Sequence, residues 1–334
     1  MKVALLIGIN YSNDPASKLN GCINDIDNIN EVLMKQYGYE SSNIIMLRDD
    51  NPSKMPTRNA ILAAFQNIVN ASKSNLCTEI WIHYSGHGIA VGDTNGDEVS
   101  GRDSAIVPVD FKTSGLIIDD TILQFLSQIQ CPTIIMMDSC HSGTVCDLEW
   151  SFEYNPSTDN HIQVQNKTIQ SLQNENIVMF SGCKDTQTSA DFFDTADRRY
   201  EGAFTDALLL SLRKNSYVGM LSTIHKDICL SLNSRGFSQI PILSGSSTKV
   251  ILSKLYIAPT IPPPITPIRP NRINRIRPNR FNWRPTLPTK ITNFIPTTIS
   301  NAISNAFRPF PLQKSLLQKS PLRNPTMKMQ FHMR

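Results

Sequence analysis

The sequence predicts an α/β fold, a three-layer α/β/α sandwich with a mostly parallel central sheet. Five apolar runs of strand length recur without polar alternation, which is typical of strands covered on both faces. Segments with helical periodicity separate these runs, and such alternation favours helices on both faces of one sheet. With 334 residues, 40% of them hydrophobic, the chain is long enough to bury this core.

The predicted elements follow from these two periodicities. The strands are VALLIGI at 3–9, NIIML at 43–47, EIWIHY at 79–84, TIIMMD at 133–138 and NIVMFSG at 176–182. Apolar residues at helical spacing predict helices over 24–37, 58–69, 121–129 and 203–212. The polar segments 92–101 and 151–175 show little periodicity, and we expect both to be exposed loops.

The composition changes near residue 257. Residues 257–334 hold 14 of the 21 prolines and thirteen Lys and Arg with no Asp or Glu. The net charge of the whole chain is +4, so this segment carries +13 and residues 1–256 carry −9. We therefore expect one folded domain over 1–256, made of a large region of about 1–150, a polar linker of about 151–175 and a small region of about 176–256. The Pro/Arg/Asn-rich basic tail over 257–334 lacks an apolar face and should be disordered.

The sequence indicates a cytoplasmic protein. No apolar run approaches the roughly 18 residues that span a bilayer, and the short run after Met1 resembles a buried strand more than a signal peptide. Seven cysteines without paired spacing suit reduced thiols. We expect four of these to be small buried side chains: Cys77, Cys131, Cys183 and Cys229.

Two predicted strands end in residues that carry chemistry. EIWIHY is followed by SGHG with His87, and TIIMMD is followed by SCHSG with Cys140. Ligands bind outside the carboxyl ends of parallel strands, so if these strands are neighbours, a thiol nucleophile and an imidazole base meet there. His141 is an alternative base, although adjacent residues of an extended turn point apart. His83 lies inside its strand and is better explained as a satisfied core histidine.

Two acidic groups also stand out. Asp25 follows the turn after the first strand and Asp138 lies two residues before Cys140, so the pair could converge and recognise a cationic side chain. Asp25 could also be the N-terminal cap of a helix, and one residue can do both. Four carboxylates from three segments suit the hard cation Ca²⁺, namely Asp103, Asp119, Asp120 and Asp147. Asp119 and Asp120 could instead cap the helix TILQFL.

Five motifs in order over residues 1–255 resemble the metacaspases, caspase-like cysteine peptidases. They are LNGCINDIDN at 19–28, HYSGHG at 83–88, GRDSAIVPVDF at 101–111, DSCHSG at 138–143 and FSGCKDTQTSAD at 180–191. The resemblance is to a type I-like core, and it implies a caspase-like fold, a dyad of His87 and Cys140, and cleavage after Arg or Lys. It also implies an oxyanion hole of backbone N–H groups near Gly88 and Cys140.

By the same resemblance, the primary specificity pocket is lined by Cys22, Asp25, Ser85 and Asp138. The four carboxylates of the second acidic group match the positions that bind Ca²⁺ in calcium-binding metacaspases. A calcium-dependent endopeptidase acting on protein or peptide substrates is thus predicted, and the alternative is a catalytically silent scaffold or aggregate-binding protein.

A peptidase of this specificity would meet its own basic sites, and we predict self-cleavage between about 150 and 190, with Lys167 and Lys184 as candidates. Three roles are open for the tail. It could bind acidic partners, anionic membrane or RNA, or it could be a solvated segment that only offers cleavage sites. It could also fold back on the acidic core and occupy the Arg-specific pocket as a tethered inhibitor.

Overall fold

The structure is a computed structural model that describes residues 1–92, 102–140, 146, 148–165, 171–183, 191–194 and 199–249. All of these residues belong to the first of two units of the chain, Met1–Ile268. The predicted boundary near residue 257 and the basic tail therefore lie outside the described residues and remain predictions.

The strands and helices of this part of the chain have the following bounds. The strands are β1 (Lys2–Gly8), β2 (Ile44–Arg48), β3 (Glu79–Ser85), β4 (Gly88–Gly92), β5 (Arg102–Ile106), β6 (Ile117–Ile118), β7 (Thr133–Asp138), β8 (Trp150–Asn155), β9 (Asn160–Gln165), β10 (Ile177–Ser181), β11 (Asp191–Asp194), β12 (Arg199–Gly202) and β13 (Ile242–Gly245). The α-helices are α1 (Cys22–Tyr37), α2 (Arg58–Ser72), α3 (Phe111–Ser114), α4 (Asp119–Leu126), α5 (Ala203–Lys214) and α6 (Leu221–Ser234).

The central sheet has eight strands in the order β2-β1-β3-β7-β10-β13-β8-β9. The strands from β2 to β10 pair in parallel, and β13, β8 and β9 continue the sheet antiparallel. Two small sheets, β4-β5-β6 and β11-β12, accompany it. The predicted mostly parallel sheet is confirmed.

Helices cover both faces of this sheet. Val3, Leu5 and Ile7 of β1 pack with α2 and α4 on one face, whereas Ala4 and Leu6 pack with α1, α5 and α6 on the other. Successive side chains of a strand point to opposite faces, so a strand buried between two helical layers must be apolar at every position. This explains the uninterrupted apolar runs and confirms the three-layer α/β/α class.

The predicted strands and helices are all present, with ends displaced by no more than three residues. The prediction of an exposed loop is wrong for residues 151–165, which lie in the edge hairpin β8-β9. An edge hairpin is only partly covered, so it carries no continuous apolar run. The alternating aromatic residues Trp150, Phe152 and Tyr154 were the available strand signal. Of the other expected loop, residues 93–101 lie outside the described residues.

The structure also shows how deeply the cysteines are buried and what kind of helices the chain forms. Cys131 and Cys183 are buried as predicted, whereas Cys77 and Cys229 are only partly buried because they lie at the margins of the core. None of the seven cysteines, all of which lie among the described residues, forms a disulfide. Within the described ranges, no helix combines the length and the apolar character needed to cross a membrane.

Candidate active site

His87 and Cys140 lie at the same edge of the sheet. β3 and β7 are neighbouring parallel strands whose last register pair is Ser85 with Asp138. Each of the two predicted catalytic residues follows two positions beyond that pair, and each is partly exposed. The condition on which the predicted dyad depended, that these strands are neighbours, is therefore met.

Gly88 shows how closely the two chain segments approach. A Cβ atom at this position would lie 2.0 Å from the carbonyl oxygen of Cys140 and 3.1 Å from the hydroxyl of Ser139. Since real Cβ contacts are never this short, only glycine fits here. The backbone after His87 is thus in direct contact with the backbone of Cys140, where the oxyanion hole is predicted.

The imidazole of His87 is oriented by a backbone carbonyl. Its Nε2 lies 2.7 Å from the carbonyl oxygen of Ser17. A carbonyl oxygen only accepts hydrogen bonds, so Nε2 carries the hydrogen of the neutral ring and Nδ1 keeps its lone pair. The tautomer that leaves Nδ1 available as a base is the one this contact favours.

Two buried tyrosines hold the backbone around His87. The Tyr84 hydroxyl donates to the carbonyl of His87 at 2.7 Å, and the backbone N–H of His87 donates to the Tyr11 hydroxyl at 3.1 Å. The Tyr11 ring also packs on the imidazole with centroids 4.7 Å apart. Burial raises the pKa of both tyrosines, so both hydroxyls stay protonated. Sequence inspection missed them because tyrosine at a strand end carries no motif.

Asp25 and Asp138 converge as predicted. The Asp25 carboxylate accepts from the Ser85 hydroxyl at 2.6 Å and from the Gly202 N–H at 2.9 Å. Asp138 accepts from the N–H and the hydroxyl of Thr205, at 3.0 Å and 2.8 Å. Charge-assisted bonds of this kind compensate for the burial of ionised carboxylates.

The start of α5 is the part of this site that the motifs did not reveal. A Cβ at Gly202 would lie 2.2 Å from Asp138 Oδ2 and 2.8 Å from Asp25 Oδ2, so a larger residue would displace the two carboxylates from their present positions. The positive end of a helix dipole also favours negative charge there. Gly202 and Thr205 are separated from Asp25 by more than 170 residues, so no local pattern could link them.

The remaining predicted pocket residues lie in the same place. The carbonyl oxygen of Cys22 packs closely against the backbone of Gly8. Gly8 is in turn the register partner of Ser85 on the neighbouring strand. Helix α1 already begins at Cys22, with Gly21 as its N-cap. Asp25 is therefore inside the first turn, and its alternative role as the N-cap is wrong.

Three of the four predicted calcium ligands are described. Asp103 and Asp119 are almost fully buried, and one Asp119 oxygen accepts from the Ser104 N–H of β5. Ile118, not an acid, occupies the N-cap of α4, while Asp119 and Asp120 occupy its first turn. Within the described ranges no cluster of three metal-binding side chains is formed. Buried carboxylates on adjoining β5 and α4 nevertheless supply the oxygen donors that Ca²⁺ prefers.

Several predicted residues lie outside the described part of the chain. These are the fourth calcium candidate, the alternative base and the two self-cleavage candidates: Asp147, His141, Lys167 and Lys184. His83, by contrast, is described and is a fully buried core residue, as predicted. Its Nε2 lies 3.5 Å from Thr205 Oγ1, whereas its Nδ1 has no hydrogen-bond partner within the described residues. It is therefore not the fully satisfied histidine that was expected.

Comparison with known proteins gives a consistent result. Residues 2–149 match the family model of the metacaspase, peptidase C14 domain. Metacaspase-1 of Cryptococcus neoformans is 35% identical over 280 residues, which cover 68% of this chain and 59% of that protein. Metacaspase-1B of Aspergillus terreus is 33% identical over 273 residues, which cover 67% of this chain and 71% of that protein.

A solved structure supports the fold. Protein GSU0716 of Geobacter sulfurreducens aligns with a TM-score of 0.51 at 24% identity, covering 75% of this chain and 96% of that one. The chain spans about 60% of the length of the first curated relatives it matches. The matched region contains both His87 and Cys140 at the carboxyl edge of the sheet. On its similarity to these proteins, the chain belongs to the metacaspase family.

Proposed function

We propose that this protein is a calcium-dependent cysteine endopeptidase that cleaves after Arg or Lys by means of Cys140 and His87. The observation that carries the proposal is the placement of these residues on paired strands, each two positions beyond the register pair of Ser85 and Asp138. Membership of the metacaspase family supports the same chemistry.

In the proposed reaction, the Cys140 thiolate attacks the scissile carbonyl after His87 has accepted the thiol proton at Nδ1. The resulting imidazolium protonates the leaving amine, and a water molecule then hydrolyses the thioester to release the acid and restore the thiol. The Ser17 carbonyl holds the His87 ring at Nε2. In Ser-His-Asp triads the aspartate orients the histidine in the same way. Backbone N–H donors at Gly88 and Cys140 would stabilise the oxyanion, each by about 3 kcal/mol.

The acidic pair gives the proposed specificity its physical reason. Asp25 and Asp138 flank Gly202 beside the strand ends, so a cationic side chain entering there would be attracted and an acidic one repelled. Asp25 is fully enclosed, with 0% of its surface exposed. Contact with a substrate cation therefore requires part of the present covering of Asp25 to move.

Calcium would be held by Asp103, Asp119 and Asp120, with Asp147 as the fourth ligand. When bound, the cation neutralises the mutual repulsion of these carboxylates and stabilises the arrangement of β5 and α4. β5 pairs with β4, which begins at Gly88 beside Cys140. The acidic residues are thus connected to the predicted dyad through a single strand, β4.

We also propose self-cleavage in the region of about 150–190, at Lys167 or Lys184. Asn160–Gln165, the outer strand of the central sheet, ends just before Lys167. The mass of the active protein tests this point: one intact chain with full activity would exclude a requirement for processing.

The decisive assay measures hydrolysis of fluorogenic peptides ending in Arg, Lys or Asp, with calcium or with excess chelator. We expect the Arg and Lys peptides to be cleaved only with calcium and the Asp peptide to remain intact. Cys140→Ala and His87→Ala should each abolish turnover and leave the circular dichroism spectrum unchanged, since neither residue is in the core.

His141→Ala provides the matched control for the base. Loss of turnover in His141→Ala with retention in His87→Ala would refute the dyad, and full turnover in chelator would refute the calcium requirement. The alternative function, a catalytically silent scaffold or aggregate-binding protein, would show no turnover of any peptide under any of these conditions.

A further inference from the structure

Two thiols outside the candidate active site lie against each other at the amino edge of the sheet. The Sγ atoms of Cys77 and Cys131 are 3.1 Å apart. Cys131 is 5% exposed, whereas Cys77 is partly exposed in the segment that precedes β3. Non-bonded carbon atoms pack at about 3.5–4.0 Å, so these sulfurs are closer than ordinary packing brings heavy atoms.

The paired strands hold the two cysteines in place. Cys131 lies two residues before β7 and Cys77 two residues before β3, and the strands start together with Ile80 opposite Thr133. The Ile80 N–H also donates to the carbonyl of Pro132 at 2.9 Å. The carbonyl of Cys131 accepts from the hydroxyl of Thr133 and from the amide of Asn174. The approach of the two sulfurs is therefore imposed by sheet register.

The two thiols are suited to different steps of an exchange reaction. Burial and the neighbouring Cys77 raise the pKa of the Cys131 thiol to about 12, which disfavours its thiolate. Cys77 is the more accessible sulfur, so a small reagent reaches it first. A bond of about 2.05 Å then requires the sulfurs to approach by only about one ångström.

We propose that Cys77 and Cys131 form an intramolecular disulfide when the protein meets an organic disulfide of the glutathione class. The Cys77 thiolate attacks one sulfur of the reagent, which releases one equivalent of thiol and leaves a mixed disulfide. The Cys131 sulfur, on losing its proton, attacks the Cys77 sulfur and expels the second equivalent. The protein loses two hydrogens, and the reagent is reduced to two thiols.

The bond would join the two strands that carry His87 and Cys140 at their other ends. It would close a loop from residue 77 to residue 131, which contains β3, β5 and α4. Closing such a loop restricts the unfolded chain and raises the temperature of unfolding. The oxidised protein should therefore keep its fold, with His87 and Cys140 in place, at temperatures where the reduced protein unfolds.

The test uses the full-length chain with Cys140→Ala, which removes the predicted nucleophile and prevents self-cleavage. The protein is incubated with glutathione disulfide, denatured, alkylated with iodoacetamide and weighed. We expect two fewer alkylated thiols than in the untreated protein, no retained glutathione, and a thermal midpoint several degrees higher that returns to the starting value on reduction. Cys77→Ser, added to this chain, should abolish the loss of thiols, whereas Cys131→Ser should lose one thiol and retain one glutathione on Cys77.

Cys229→Ser is the matched control, because Cys229 is a partly buried thiol on α6, outside the pair. This variant should still lose two thiols. An unchanged thiol count, a stable glutathione adduct on Cys77 when Cys131 is present, or an equal loss of thiols in the Cys77→Ser chain would each overturn the proposal. Peptide mapping of the unsubstituted pair locates the bond even if a serine variant fails to fold.

Discussion

At the scale of single residues, His87 is fixed by the protein before any substrate binds. The Ser17 carbonyl holds the ring, and the hydroxyls of Tyr11 and Tyr84 hold the backbone on either side. A base that is already oriented loses little conformational freedom when it acts. The contribution of the two tyrosines is thus one of positioning, since neither reaches the reacting atoms through any contact described.

Asp25 gives the first residue-scale prediction. Asp25→Asn should raise the KM for Arg peptides roughly thirtyfold, because it removes a charge-assisted contact of about 2 kcal/mol. Asp27→Asn is the matched control, since Asp27 lies on the same helix but pairs with Arg48 at the surface. Steady-state kinetics on Arg and uncharged peptides measure the effect; an equal rise for both peptides would contradict a role in charge recognition.

Two buried histidines make stability depend on pH. Burial lowers the pKa of both His83 and His225 from 6.5 to about 3. His225 lies between the ring of His161 and the carbonyl of Pro241, 3.0 Å and 3.1 Å away. The folded protein therefore keeps both rings neutral, while the unfolded chain protonates them below about pH 6.5.

The second prediction follows from that difference. Because the folded pKa values are depressed, the stabilisation is complete above pH 6.5 and is lost as the pH falls from 6.5 towards 3. Between pH 6.5 and pH 5 the free energy of unfolding should fall by up to about 4 kcal/mol. Urea denaturation at pH 5.0 and 7.5 measures this loss, and His83→Leu should roughly halve it.

The chosen pH range separates this effect from the titration of the stabilising carboxylates. The pKa values of Asp14, Asp50 and Asp159 are lowered from 3.8 by their cationic and hydroxyl partners, so their contribution is lost only below the window. His161 has a lowered pKa of its own, mainly from burial, and adds in the same direction. Equal stability at the two pH values would contradict the prediction.

At the scale of elements, β4 connects the dyad to the acidic group. It begins at Gly88 against the carbonyl of Cys140 and pairs with β5, where Val91 lies opposite Asp103. β4 and β5 thus join the two regions through backbone hydrogen bonds. If the acidic group binds calcium as proposed, the cation would act on the strand pair whose other end adjoins Cys140.

Gly88 provides the element-scale prediction. Gly88→Ala should abolish peptide cleavage, because the new methyl group would overlap the Cys140 carbonyl and displace β4 from the nucleophile. Gly92→Ala is the control at the other end of β4, where a Cβ meets no atom of the described residues within 4 Å, and it should retain near-normal kcat. Turnover with Arg peptides and the thermal midpoint are measured for both. Normal kcat in Gly88→Ala would show that this contact is dispensable.

At the scale of the whole molecule, charge is distributed unevenly along the chain. Residues 257–334 carry thirteen of the 32 basic residues and none of the 28 acidic ones. Segments of this composition bind polyanions with an affinity that falls steeply with salt. The remainder of the chain carries a net charge of −9, and we expect it to repel polyanions.

We therefore predict that removing residues 257–334 abolishes salt-sensitive binding to RNA and to anionic vesicles. Fluorescence anisotropy with a labelled RNA, and vesicle sedimentation, both at several salt concentrations, measure this. Unchanged small-peptide turnover on truncation would fit an adaptor, whereas increased turnover would indicate a tethered inhibitor. If the full and truncated chains bind polyanions equally, the tail is only a solvated segment that offers cleavage sites.

The sequence by itself determined the fold class and the positions that carry chemistry. Uninterrupted apolar runs of strand length, separated by helical patterns, predict strands covered on both faces, and the glycine-containing turns after EIWIHY and TIIMMD located His87 and Cys140 at strand ends. These are local properties, because burial pattern and turn chemistry depend on neighbours along the chain. The hairpin at 150–165 was not predicted, because it lies at the edge of the sheet and its strands are only partly covered. Polar residues therefore interrupt its apolar positions, and no continuous apolar run marks it.

Only the tertiary structure decided how distant residues meet. The contacts of Gly202 and Thr205 with Asp25 and Asp138, the Ser17 carbonyl on His87, and the adjoining sulfurs of Cys77 and Cys131 join segments far apart in the chain. Such contacts arise from strand order and register, which long-range packing sets and no short motif encodes. The sequence thus specified which groups are available, and the sheet determined which of them lie together.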